Sequence, residues 1–320
     1  MKKLRQVLAC CLLGAFLSTA SASTYPEASI RLLVPYSPGG GTDLMARLLG
    51  KEMALQLGVP VIVENRPGAS GNIGTGAVAR AKPDGYTLLL TSSGHTINPS
   101  LFKDLPFDPI SDFSPVAQIA VGPSVLVVNQ NSPYRNLNDF LTVESNAPER
   151  TFGSAGMGQP THLAAASLAA ATKIPVLHVP YSGSGDAELG LATGQVDFLV
   201  DSIPAALPFL TSKKTRALAV TGEHRFPLLP EVPTLMEQGL HDFLFTTWWG
   251  VLGPKNMPQE RLELISEAIA KAMRSEELKR RFIDVGAEPE YKSSKVFGEF
   301  IKQELADYQA LIEGLRITLN

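Results

Sequence analysis

Residues 32–49 read LLVPYSPGGGTDLMARLL, and their reading decides the fold. An apolar run fit for a buried strand ends at Pro35, and three glycines follow. A helical pattern then opens at Thr42 and Asp43, with Leu44, Met45, Leu48 and Leu49 on one face. The stretch is strand, glycine loop, helix start. The first turn of a helix leaves backbone N–H groups without partners and carries about half a positive charge, so Gly39, Gly40 and Gly41 admit an anion close to those donors. Taken alone, the loop reads more readily as a tight turn with Thr42 capping the helix. A second loop of the same kind, TFGSAGMGQPTHL at 151–163, adds weight to the anion reading. There a short strand gives way to Gly153, Ser154, Gly156 and Gly158, and Pro160 suits the first turn of a helix through the alanine-rich 163–171.

Outward from these loops, strand patterns at 30–35, 59–64, 86–91, 116–128, 151–154, 176–180, 196–200 and 216–221 alternate with helical ones. The helical patterns fall at 43–57, 73–82, 137–146, 161–172, 185–192 and 204–210. Such alternation predicts parallel sheets with helices on both faces, and ligands beyond the carboxyl ends of the strands, where the glycine loops lie. Residues 113–129 form a long apolar run broken by Pro115, Gly122 and Pro123, which suits a strand crossing between two lobes; WWGVLGP at 248–254 offers the return. Only helical patterns follow it, at 259–273, 276–284 and 295–315. The expected division is a discontinuous first lobe, 23–122 plus 250–320, enclosing a second lobe, 123–249. Each lobe owns one glycine loop, so two helix N-termini would face one small anion across a cleft. The proline-bearing linker 223–242 is expected to pack irregularly on the surface.

With 320 residues the chain has room for two cores. Lys2, Lys3 and Arg5 precede an apolar run at 7–17, and Ala20-Ser21-Ala22 offers a small-x-small cleavage site, the pattern of a secretory signal peptide spanning 1–22. The expectation is export to the periplasm. Cys10 and Cys11 both lie in that segment, so the exported chain has no thiol and no disulfide. A lipid anchor on Cys10 is the competing reading, opposed by the short distance from Arg5. No later run is long and apolar enough to span a bilayer. Loss of 1–22 takes the formal charge from −3 to −6, and without basic clusters the surface argues against nucleic acid.

VPYSPGGGTD, VIVENRPGASGNIG, KPDGYTLLL, FGSAGMGQPTHL, HVPYSGSGDAE and the succession of PTLMEQGL and WWGVLGP cover nearly the whole exported chain in order. In them the sequence resembles the extracytoplasmic solute receptors of tripartite tricarboxylate transporters, the Bug or TctC-like family. The resemblance implies an α/β, type II periplasmic binding protein fold, with two lobes, parallel-rich sheets and a ligand cleft between them. It implies a non-catalytic, monomeric receptor without cofactor, which captures a small organic carboxylate and hands it to the transporter's membrane subunits. Presentation of the ligand to a sensor kinase is the alternative role. Carried onto this sequence, the ligand's carboxylate would meet Tyr36, Ser37, Gly40, Gly41 and Thr42 in the first lobe, and Ser154, Ala155, Gly156, Gln159, Thr161 and His162 in the second. At Gln159 and Pro160 the chain departs from the family, where many relatives carry serine.

Position in the pattern adds Ser92 or Ser93, after the third strand, and Asp201 with Ser202, after the 196–200 strand, to meet an amine, hydroxyl or protonated group at the ligand's far end. Apart from His162 neither loop holds a cation, so neutral donors and dipoles would hold the acid. His95 is a weaker candidate, and His178, His224 and His241 read as structural or surface residues. No histidine has the spacing of a metal site. No GxGxxG or GxxxxGK[ST] order appears, and Ser182-Gly183-Ser184-Gly185 only approximates a hydrolase elbow, here read as a strand-to-helix turn facing the second lobe. Trp248 and Trp249 alternate, so at most one can face a ligand.

Overall fold

The computed structural model describes residues 25–142, 148–241 and 243–315. The expected signal peptide lies outside the described residues. In chain order the elements are β1 (Ile30–Val34), α1 (Gly41–Leu57), β2 (Val61–Asn65), α2 (Asn72–Ala79), β3 (Thr87–Ser92) and α3 (Gly94–Leu101). Then follow β4 (Phe113–Asn129), α4 (Leu137–Leu141), β5 (Arg150–Ser154), α5 (Pro160–Thr172), β6 (Val176–Pro180), α6 (Ser184–Ala192), β7 (Phe198–Ser202), α7 (Ile203–Thr211) and β8 (Thr215–Val220). The chain closes with β9 (Thr246–Pro254), α8 (Gln259–Ala272), α9 (Glu276–Asp284), β10 (Glu288–Ser293) and α10 (Ser294–Leu315).

β1 pairs parallel with β2 and β3, and β5 pairs parallel with β6 and β7. All six residues of β3 are buried, as a strand covered on both faces requires. α1 brings Met45, Ala46, Leu49 and Met53, spaced at the helical period, against Ile30, Leu32 and Leu88 of this sheet. On the sheet's other face Leu33 and Leu89 meet Trp248, Phe297 and Ile301.

The two sheets meet in β4. From Phe113 to Pro123 it pairs antiparallel with β9; from Ser124 to Val128 it pairs with β7, and from Val125 to Asn129 with β8. One strand thus pairs in both sheets. The expectation of parallel sheets holds only for β2-β1-β3 and β6-β5-β7. β4 pairs antiparallel with β7, β8, β9 and β10, and β3 with β9, because a chain that crosses and returns lays its return strand against the outgoing one. β9 already pairs with β4 at Thr246, so the return crossing precedes Thr246; Gly250, the expected boundary, sits mid-strand opposite Thr91 and Gln118.

Two elements escaped the pattern. α3, GHTINPSL, has a proline inside it and little apolar periodicity, and β10, EPEYKS, is a strand with no fully buried residue and no apolar run. α10 also departs from the expected division. Its Phe297 and Ile301 pack on the first sheet, whereas Tyr308 and Ile312 join Leu126, Phe152 and Phe198 of the second lobe. The helix therefore clasps both lobes. Phe226, Leu228, Leu229 and Val232 of the linker pack on the second lobe's core, and no helix among the described residues is long and apolar enough to cross a membrane.

Candidate functional site

The lobes are closed upon each other. Ser37 Oγ donates to Asp186 Oδ2 at 3.1 Å, and the Gln159 side-chain amide donates to the Ser70 carbonyl. Between the lobes lies a small, tightly closed cavity of about 30 Å³. Tyr36, Gly40, Gly41, Thr42, Ser92, Thr247 and Trp249 line it from the first lobe; Ala155, Gln159, Pro160, Thr161, Ser184, Asp201 and Ser202 line it from the second.

The first glycine loop delivers the start of α1 to this cavity. Gly39 has φ +83°, a left-handed conformation that glycine adopts without cost. Gly40 is the N-cap, extended and offering no side-chain cap, so Thr42 is the second residue of the helix and not its cap. The first-turn N–H groups of Gly41 and Thr42 thus end at the cavity wall with no capping side chain to answer them. Asp43 pins the loop from behind: its carboxylate accepts from Gly39 N, Arg47 Nε and Asn65 Nδ2, all at 3.0 Å. Tyr36 is buried, its hydroxyl 3.5 Å from Thr91 Oγ1 and Ser92 Oγ, and burial raises its pKa, keeping it a neutral donor.

The second loop is different in kind. Its amides are largely spent within the loop: Ala155 N donates to Thr161 Oγ1 at 2.9 Å, Gly156 N to Ser154 Oγ at 3.1 Å and Gly158 N to His162 Nδ1 at 3.2 Å. What α5 offers the cavity is its first turn at Thr161 and the Gln159 and Thr161 side chains. His162 is directed away from the cavity. It stacks on His178, with ring centroids 4.1 Å apart, and on Phe152, and burial lowers its pKa to about 4, leaving it neutral.

Ser37, Ser93, Ser154 and Gly156 also stand off the cavity. Ser37 is engaged in the interlobe bond, Ser93 Oγ accepts from Trp248 N at 3.2 Å, and Gly156 packs against Ser70 across the cleft. Ser154 Oγ lies 2.6 Å from His178 Nε2, yet His178 Nδ1 faces Met157 Sδ at 3.0 Å, so no carboxylate orients the ring as a hydrolytic triad needs. His95 packs on Phe107 and Phe113 with Nε2 bonded to the Pro109 carbonyl, also away from the cavity. Of the two tryptophans, Trp249 lines the cavity while Trp248 turns to Phe297 and donates to Glu304.

Two further helix starts reach the cavity. Ser184 is the first residue of α6 and Ser202 the N-cap of α7, so four helix N-termini converge where the glycine pattern announced two. The signal for Ser184 was present in SGSGD, a glycine-serine run before a helix like the other two. Thr247 left none, since it reaches the cavity from a strand of the returning chain. Asp201 is wholly buried; its Oδ1 accepts from Ser184 Oγ at 2.7 Å and Ser202 N at 2.6 Å, and burial raises its pKa to about 6. Behind it Glu188 is wholly buried too, its pKa raised by burial and by the charge of Asp201. No lysine, arginine or histidine lines the cavity. Among the described residues no cluster of three or more His, Cys, Asp or Glu is arranged to hold a metal ion.

Residues 45–317 match the family model of the tripartite tricarboxylate transporter family receptor, TctC. The chain belongs to the TctC family. TctC proteins are solute-binding receptors and not enzymes. Among solved structures, the periplasmic binding protein BugD is 32% identical, with 92% of this chain and 99% of that one covered and a TM-score of 0.88. Rpa4515 of R. palustris, solved with adipate, is 29% identical over 92% of this chain and 99% of its own, with a TM-score of 0.89. MatC of Rhodopseudomonas palustris, solved with bound malate, is 32% identical over 90% of this chain and 100% of its own, with a TM-score of 0.85. The TctC chain therefore has the two-lobed α/β fold of periplasmic binding proteins.

Proposed function

We propose that this receptor, exported to the periplasm by its N-terminal segment, captures a small organic carboxylate in the interlobe cavity and delivers it to the membrane subunits of a tripartite tricarboxylate transporter. The observation that carries the reading is the convergence of helix N-termini on a cavity that no cationic side chain lines. A carboxylate would lie on the N–H groups of Gly41 and Thr42 and on the hydroxyls of Thr42, Thr161 and Tyr36. Charge-assisted hydrogen bonds contribute on the order of 1.5–3 kcal/mol each, so a handful reaches the roughly 8 kcal/mol of micromolar binding. The malate and adipate of the related structures support an organic acid as ligand.

Capture works by closure. An acid touching both lobes favours the state in which they meet, and the lobes turn about the strand crossings at Pro123 and before Thr246. A thermal-shift screen of the exported chain against a panel of organic acids tests the reading, since a ligand that binds only the native state raises the melting temperature. At least one acid is expected to raise it in proportion to the logarithm of its concentration. A panel without any such acid would contradict the reading.

A further inference from the structure

We propose that Asp201, backed by Glu188, receives an ammonium group, so that the ligand is a zwitterionic amino acid with its carboxylate on the start of α1 and its ammonium on the second-lobe floor. The inference deepens the carboxylate reading above and rests on it.

Two buried acids carry unanswered acceptors. Asp201 lines the cavity and is wholly buried, and while its Oδ1 takes two hydrogen bonds, its Oδ2 has no partner. Glu188, one turn along α6 from Ser184, is wholly buried with neither carboxyl oxygen partnered. Buried polar atoms without partners are rare because each carries its full desolvation cost. One such oxygen at a cavity without cations, on Asp201, with a second buried acid behind it, calls for a donor that also brings positive charge. An ammonium group supplies three donors and that charge.

The competing occupants fit less well. A second carboxylate would add a negative charge beside two buried acids, and the first residue of α6 already faces Asp201 through Ser184 Oγ. A hydroxyl supplies one donor and no charge. Burial and the charge of Asp201 raise Glu188, and burial raises Asp201, as befits a pair that retains a proton until a cation replaces it.

Calorimetry on matched ligand sets, three to six carbons long, tests this: each set holds a plain acid, its hydroxy derivative and its amino derivative. The tightest ligand is expected to be an amino member, roughly ten- to a hundredfold above its plain and hydroxy counterparts, the range of charged hydrogen bonds. In Asp201→Asn that preference should vanish, with a cooperative melting curve reporting an intact fold. A tightest ligand without an ammonium group would overturn the inference and leave the carboxylate reading standing, and so would an ammonium preference that survives in Asp201→Asn. Absence of binding by every member of every set would overturn both.

Discussion

At Gly41 a missing methyl group lets the lobes meet. A Cβ there would lie 2.8 Å from Ser202 Oγ, 3.4 Å from Pro204 Cβ and 3.5 Å from Trp249 Cζ2. The residue is the first of α1, where alanine is conformationally welcome, so Gly41→Ala should keep or raise stability by about 0.4–1 kcal/mol while obstructing closure. Ligand affinity is expected to fall at least about tenfold, or roughly 1.4 kcal/mol, measured by calorimetry beside a melting curve. Unchanged affinity would show that the lobes do not need this approach. Trp249→Phe should abolish a ligand-induced change in tryptophan fluorescence that Trp248→Phe retains, because only Trp249 borders the cavity. Gly40, Gly41 and Thr42 were legible because strand, glycines and helix start are local in sequence. His162 was misread because its position in a loop does not reveal which way the ring points, and packing on Phe152 and His178 settled that.

At the scale of elements, α10 is the part the sequence pattern described least well. Its amphipathic stripe was plain, but not that the stripe serves two lobes in succession. Near its middle Glu304 takes a hydrogen bond from Trp248 Nε1 and lies 2.7 Å from Thr96 Oγ1, which joins α10 to β9 and α3. Burial is the main cause that raises its pKa from an ordinary 4.5 to about 7. The native state therefore holds this proton more tightly than the unfolded chain. The contribution is fully present below about pH 4.5 and is lost as the pH rises through about 7. Glu304→Gln should flatten the pH dependence of stability in that window, as read from denaturant midpoints at matched pH values. An unchanged slope would place the titration elsewhere. α3 and β10 were illegible for a plainer reason: both are held by neighbours, α3 by α10 and β10 by β4, and not by a periodic apolar face of their own.

Across the whole molecule, the two-lobe architecture was legible because β4 is too long and too apolar for one sheet. The course of the return strand was not, since antiparallel pairing depends on a partner more than a hundred residues away. Closure joins the scales. Ser37 to Asp186 and Gln159 to Ser70 join the lobes in the closed arrangement, and each is a neutral or singly charged bond worth about 1–3 kcal/mol. The double variant Ser37→Ala, Gln159→Ala should therefore close less readily, with a larger radius of gyration by small-angle scattering at a ligand concentration that half-saturates the unaltered chain, and contract at saturating ligand. No expansion would mean that the closed state is held by other contacts.

The account turns on an ionised acid held by helix starts and hydroxyls in a closed cavity without cationic side chains. The most direct test is calorimetric titration of the purified protein with the tightest acid found and with the primary amide of the same acid. The acid is expected to bind at least about tenfold more tightly, the contribution of one or more charge-assisted hydrogen bonds. Equal affinity for acid and amide would contradict it.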